Sequence, residues 1–141
     1  MPQNIDDFNS GVALILGKLY EHFPKSIQLS ANELPTIDFQ AGGPPGEERI
    51  DRYIELYEIY FHTACFLLAE GYISGKRVES YTVIYDCTLT TKGLAALQRI
   101  PNSIQGKKRS VGDFLIDLSK DGLKTVTKEA VSVAVRSILN G

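Results

Sequence analysis

The sequence has little of what metal sites and disulfide scaffolds need. It contains no tryptophan, two cysteines and two histidines in 141 residues. Two cysteines are too few to staple a small secreted domain, and His22 and His62 lie too far apart for ligand spacing. We therefore expect Cys65 and Cys87 to be reduced and packed, and we expect no metal site.

Long apolar runs are also missing. Nowhere do about 18 apolar residues follow one another, so we expect no transmembrane segment. The first residues lack the basic start and apolar stretch of a secretory signal, which predicts a cytoplasmic protein.

Motifs of known catalytic chemistry are absent as well. The sequence has no nucleophile elbow, no phosphate loop followed by Lys, and no Gly-x-Gly-x-x-Gly. The Gly-Pro tract at 42–46 contains two prolines, which remove backbone donors, so it reads as a surface loop. We expect no enzyme, no catalytic residue and no cofactor.

Charge is distributed unevenly along the chain. The formal net charge is −2, but residues 1–46 carry −3, residues 47–100 carry −2 and residues 101–141 carry +3. A basic link at 105–109 separates the acidic part from the tail. The sequence thus predicts a domain at 1–104 and, at 105–141, a basic linker with a C-terminal helical arm.

Apolar spacing predicts two long helices in the first part. Apolar residues recur every three or four positions from Phe8 to Phe23, and Pro24 ends that helix. A brief strand at 27–29 and a short helix capped by Ser30 follow. The longest helix runs from about Glu47 to Glu70, with Gly71 as its C-cap. Its expected packing stripe consists of Ile50, Ile54, Tyr57, Phe61, Ala64 and Leu68.

The period then changes from helical to alternating. Residues 81–89 alternate as a strand, with Tyr81, Val83, Tyr85, Cys87 and Leu89 expected on one face. Residues 72–74 pair back on it as a hairpin, and Thr90 caps a helix that reaches about Leu97. In the tail, a helix capped by Ser110 precedes a last helix at about 125–139.

Two motifs in this order resemble a known family. Phe66-Leu67-Leu68-Ala69-Glu70-Gly71-Tyr72-Ile73 is similar to the end of the recognition helix in winged-helix domains of the MarR/PadR-like kind. Leu89-Thr90-Thr91-Lys92-Gly93 is similar to the family's exit from the second wing strand. The resemblance covers about residues 11–100. It implies an α+β, mostly α fold, with three helices, a two- or three-stranded wing sheet and the C-terminal helices appended.

The resemblance also implies double-stranded DNA as a partner, through the recognition helix and the wing. Acidic residues at the start of the long helix oppose this, because affinity for phosphates comes from Lys and Arg. The connection between residues 34 and 47 is also longer than a helix-turn-helix uses. The candidate nucleic-acid contacts are Lys76, Arg77, Lys107, Lys108 and Arg109.

The alternative partner is another protein or a second copy of the chain. Tyrosines on the long helix and apolar residues in the tail provide candidate interface positions: Tyr53, Tyr60, Phe114, Leu118, Val131, Val135 and Ile138. We favour protein–protein contact through the C-terminal helices, in a homodimer or a complex subunit, over DNA binding by a transcriptional regulator. A membrane-surface role of the last helix is disfavoured, because its apolar face lacks Trp and Phe.

Overall fold

The structure is a computed structural model that describes residues 3–34, 46–78, 82–99, 110–121 and 128–140. It is α+β and mostly helical, with a three-stranded antiparallel sheet. A 3-10 turn, Ala31–Glu33, follows the first strand. The elements, in chain order, are α1 Gln3–His22, β1 Ile27–Ser30, α2 Gly46–Ala69, β2 Ile73–Arg77, β3 Val83–Leu89, α3 Thr91–Leu97, α4 Val111–Asp121 and α5 Lys128–Leu139.

Helix α1 lies at the centre of the fold. Every residue from Gly11 to Gly17 is buried, because α2, α4, α5 and β3 pack around it. A helix that is apolar all round is a buried helix. The expected single stripe was therefore incomplete, since Ala13 and Leu14 are also fully packed.

The sheet order is β1-β3-β2, so the hairpin strand β3 is central. Both neighbours shift register against β3, and Asp86 has a positive φ of 50°. An extra residue of this kind is a β-bulge, and it turns the following side chains to the opposite face. Ile84 and Cys87 are therefore both buried while Tyr85 is exposed, which corrects the expected alternation.

The two motifs that carried the family resemblance meet each other at the end of α2. Gly71 has a φ of 80°, and the amide of Tyr72 donates to the carbonyl of Leu67 at 3.0 Å. Thr90 Oγ1 accepts from the amide of Gly93 at 3.1 Å, so Thr90 caps α3 as expected. A Cβ on Gly93 would lie 2.1 Å from the carbonyl oxygen of Tyr72. Glycine is therefore required for α3 to approach the start of the hairpin this closely.

The C-terminal helices pack on the same chain. Leu115 and Val135 are at most 1% exposed and belong to the same hydrophobic core as α1. Arg99 donates to the carbonyl of Ser137 at 2.8 Å, which satisfies a backbone group at the end of α5. The expected boundary at 104 lies outside the described residues, but the described helices on both sides of it share one core.

Candidate interaction surface

Helix α2 has one face turned to the core. Its buried side chains recur at helical spacing and are Leu56, Tyr60, Thr63, Ala64 and Leu67. Tyr60 is fully buried, so this candidate interface residue is a core residue of its own chain. Gly11 of α1 allows the close approach, because a Cβ there would lie 2.9 Å from the Tyr60 ring.

About a quarter turn around α2 from the core side lies a second apolar row, which we call the outer face: Ile50, Ile54, Tyr57 and Phe61. Ile50 is 61% and Ile54 is 41% exposed, whereas the two aromatic side chains are half-buried. Their spacing of four, three and four positions places them along one line of the helix. The sequence predicted this row as a packing stripe, but its first two members face solvent.

Three carboxylates lie beside the outer face, and we call them the acidic edge: Asp51, Glu55 and Glu58. All three are exposed. Asp51 comes three positions before Ile54 and Glu58 comes four after it, so both are surface neighbours of that isoleucine. Any group that covers Ile54 therefore also meets negative charge.

The basic residue within this stretch, Arg52, points away from the outer face. Its guanidinium donates to both carboxylate oxygens of Asp7 on α1, at 2.9 and 2.8 Å. The side-chain hydrogen bond to Asp7 raises the pKa of Arg52. A further contact at 3.4 Å reaches Glu55. Arg52 is thus held by Asp7 and also contacts one member of the acidic edge, Glu55.

The β2–β3 hairpin borders the second half of the outer face. The guanidinium of Arg77 lies over the ring of Phe61, 5.3 Å from its centroid, in cation–π geometry. Lys76 is exposed, and its Nζ lies 3.8 Å from the carboxylate of Asp86. The two predicted wing cations are thus on one strand, each beside a partner in this chain.

Tyr53 borders the outer face on its other side, next to Tyr57. The Tyr53 hydroxyl donates to the carbonyl of Asn32 in the 3-10 turn. The ring centroids of the two tyrosines are 5.8 Å apart. Tyr53 is half-buried and held by its hydrogen bond, so it lies at the margin of the outer face.

The remaining candidate residues are not brought to this surface. Lys107, Lys108 and Arg109 lie outside the described residues, and so does the side chain of Leu118. Phe114 is half-buried against the core. Val131, Val135 and Ile138 are between 1% and 4% exposed. In the structure these three side chains pack against the core of their own chain.

The described residues offer little for catalysis or metal binding. None of their His, Cys, Asp and Glu side chains form a group of three able to hold a metal ion. Burial raises the pKa of the Cys87 thiol to about 12, which makes it a poor nucleophile at neutral pH.

The same described ranges contain no helix with the length and apolar character to span a membrane.

Comparison with known proteins assigns this chain to no family. Neither a family model, a curated protein nor a solved structure matches this chain.

Proposed function

We propose that this chain is a small winged-helix-like protein that acts through protein–protein contacts, as a homodimer or as a subunit of a larger complex, without chemistry of its own. The order of the helices and the sheet order β1-β3-β2 are compatible with a winged-helix fold. In that reading, α2 stands where the recognition helix stands and the β2–β3 hairpin is the wing. Fold alone does not select a partner, so the choice depends on the surface of α2.

The observation that carries the proposal is the chemistry of the outer face. A helix that reads DNA presents polar and basic side chains to base edges and phosphates. Here the corresponding side exposes Ile50 and Ile54, with the acidic edge beside them. Carboxylates repel the phosphate backbone, and exposed aliphatic side chains gain most from covering by another apolar surface.

The alternative is a DNA-binding regulator that holds phosphates through the wing and the basic linker. Lys76 and Arg77 are exposed and support this reading. Against it, Lys76 is close to Asp86 and Arg77 is stacked on Phe61. Each of these contacts would have to be exchanged for a phosphate contact.

Site-specific photocrosslinking tests the proposal directly. A photoreactive amino acid is placed at position 54, on the outer face, and, as a control, at Val133 on α5, which is 37% exposed. After irradiation in cells, the expected adducts are protein adducts, identified by mass spectrometry, formed from position 54 and not from position 133. Nucleic-acid adducts from position 54 would overturn the proposal.

Titration with a random-sequence DNA duplex at low salt tests the alternative. We expect no binding by the full chain, because the acidic edge opposes it. A salt-dependent affinity that is lost in the Lys76→Ala/Arg77→Ala variant would establish the DNA-binding function instead.

A further inference from the structure

We propose that the partner presents an amphipathic helix with Lys or Arg along one edge, and that this helix lies on the outer face of α2. This inference rests on the proposed function and adds the chemistry of the partner. It is drawn from two features of the same surface, its apolar spacing and the sign of its charge.

The apolar spacing determines the shape of the ligand. Ile50, Ile54, Tyr57 and Phe61 span three helical turns on one line, which is the pattern that receives a second helix through apolar residues of the same spacing. Tyr53 and the 3-10 turn bound the row on one side, and Arg77 bounds its second half. The row is therefore a narrow apolar strip that runs along α2.

The charge determines which amphipathic helix is accepted. Asp51 and Glu55 are separated by four positions and Glu55 and Glu58 by three, so each carboxylate is a neighbour of the next one on the helix surface. Like charges at this spacing repel each other. Cations on the edge of a docked helix would relieve that repulsion, whereas an acidic helix would add to it.

A second copy of the chain does not fit these charges well. Around Ile54 the exposed charged side chains described on α2 are acidic, so pairing of two α2 helices brings carboxylates of both copies close together. Complementary charge favours a basic partner over self-association.

The experiment uses the full chain and two synthetic helical peptides with leucine at the same helical spacing. One peptide carries lysine at its other positions and the second carries glutamate there. Fluorescence anisotropy of the labelled peptides measures binding. We expect the lysine peptide to bind at least about tenfold more tightly than the glutamate peptide.

Three variants assign the binding to the outer face. Ile54→Ser should weaken binding of the lysine peptide by about tenfold or more, as at a binding hot spot. Val133→Ser is the matched control, an exposed aliphatic residue on α5, and should bind like the wild type. The double reversal Asp51→Lys/Glu58→Lys leaves Glu55 beside Arg52 and should transfer the preference to the glutamate peptide.

Other outcomes overturn the inference. Equal binding of both peptides, preference for the glutamate peptide, or binding that is unchanged in Ile54→Ser would each do so. Sedimentation of the wild type as a dimer that Ile54→Ser dissociates would replace the basic partner by a second copy. In that case the proposed function stands, whereas nucleic-acid adducts from position 54 would remove the proposed function itself.

Discussion

Two guanidinium nitrogens of Arg52 donate hydrogen bonds to the two carboxylate oxygens of Asp7, and this ion pair joins α2 to α1. The side chain of Asp7 is 8% exposed and that of Arg52 is 26% exposed. A two-point contact of this kind fixes both distance and orientation. It joins the two helices in the orientation in which Leu56 and Tyr60 face the core while Ile54 is exposed.

Removing one partner of this ion pair should lower the free energy of unfolding by more than the net contribution of the intact pair. Arg52→Ala leaves the Asp7 carboxylate buried without its counterion, so we expect a loss of about 3 kcal/mol in the free energy of unfolding. Asp7→Ala/Arg52→Ala should lose less than the sum of the two single variants. Urea denaturation of all four proteins measures this, and strictly additive losses would contradict the coupling.

Gly17 lies where α4 packs tightly on α1. A Cβ there would lie 2.7 Å from the backbone carbonyl oxygen of Leu115. Alanine is the better helix former by about 1 kcal/mol, but the clash is with backbone and cannot be relieved by a side-chain rotation. We therefore expect Gly17→Ala to destabilise the protein by about 1–3 kcal/mol.

Thermal unfolding followed by circular dichroism measures the effect. Lys18→Ala on the same helix, at a half-buried position, is the control and should change stability by about 0.5 kcal/mol or less. A Gly17→Ala protein more stable than the wild type would show that α4 does not sit against α1 in this way.

Local features of the fold could be predicted from the sequence because short-range chemistry determines them. Gly71 ends α2 with a positive φ, and Thr90 and Ser110 each accept a hydrogen bond from an amide three positions on. Helix α1 ends at His22, two residues before Pro24, as expected. Ser30 is the exception, since its side chain makes no capping bond to the 3-10 turn.

The orientation of α2 could not be predicted in the same way. Two apolar rows run along it, one through Ile50 and Ile54 and the other through Leu56, Tyr60 and Leu67. Periodicity identifies both rows but does not say which one packs inward. The contacts between α2 and α1 are long-range, and the one between Asp7 and Arg52 joins residues 45 positions apart. The expected stripe therefore placed Ile50 and Ile54 in the core, where they are not, whereas its later members Phe61, Ala64 and Leu68 do pack there.

The docking of the C-terminal helices was not predicted for a similar reason. Apolar residues of a tail fit their own core or another chain equally well by pattern alone. The signal that was available is Gly17, because a glycine inside a helix often marks a close helix contact. Ala13 and Leu14 lie off the expected stripe of α1, and they too indicate that α1 is covered on more than one side.

Two valines on α5 offer a matched test of that docking. Val135 is 1% exposed and Val133 is 37% exposed. Val135→Ala should lower the free energy of unfolding by about 2 kcal/mol, whereas Val133→Ala should change it by less than about 0.5 kcal/mol. Denaturant unfolding measures both. Equal effects would show that α5 is not held on the core by this face.

Truncation after Arg109 should then unfold the remaining chain. It removes the buried side chains of Val111, Leu115, Val131, Val135 and Ile138, each worth about 1.5–3 kcal/mol when fully buried. The sum, about 7.5–15 kcal/mol, is as large as the net stability of a typical domain, about 5–15 kcal/mol. Circular dichroism and sedimentation of the shortened chain check this. A folded, cooperative product would instead establish an independent domain before residue 110.

Cys87 should make the stability of the protein depend on alkaline pH. The thiol is fully buried beneath the bulge of β3, and burial raises its pKa from an ordinary 9.0 to about 12. Above pH 9 the unfolded chain loses this proton and the folded chain keeps it. Stability should therefore fall between pH 9 and pH 12, by about 1.4 kcal/mol per pH unit from this group.

Comparison with Cys87→Ala isolates that contribution, because the two proteins differ in no other titratable group. The variant loses packing at neutral pH, but its free energy of unfolding should decline less steeply between pH 9 and pH 11. Thiol titration at pH 8 gives an independent readout. Half-buried Cys65 should react with Ellman's reagent in the native protein, whereas Cys87 should react only after unfolding. Parallel pH profiles for the two proteins, or rapid native reaction of both thiols, would contradict a buried neutral thiol at position 87.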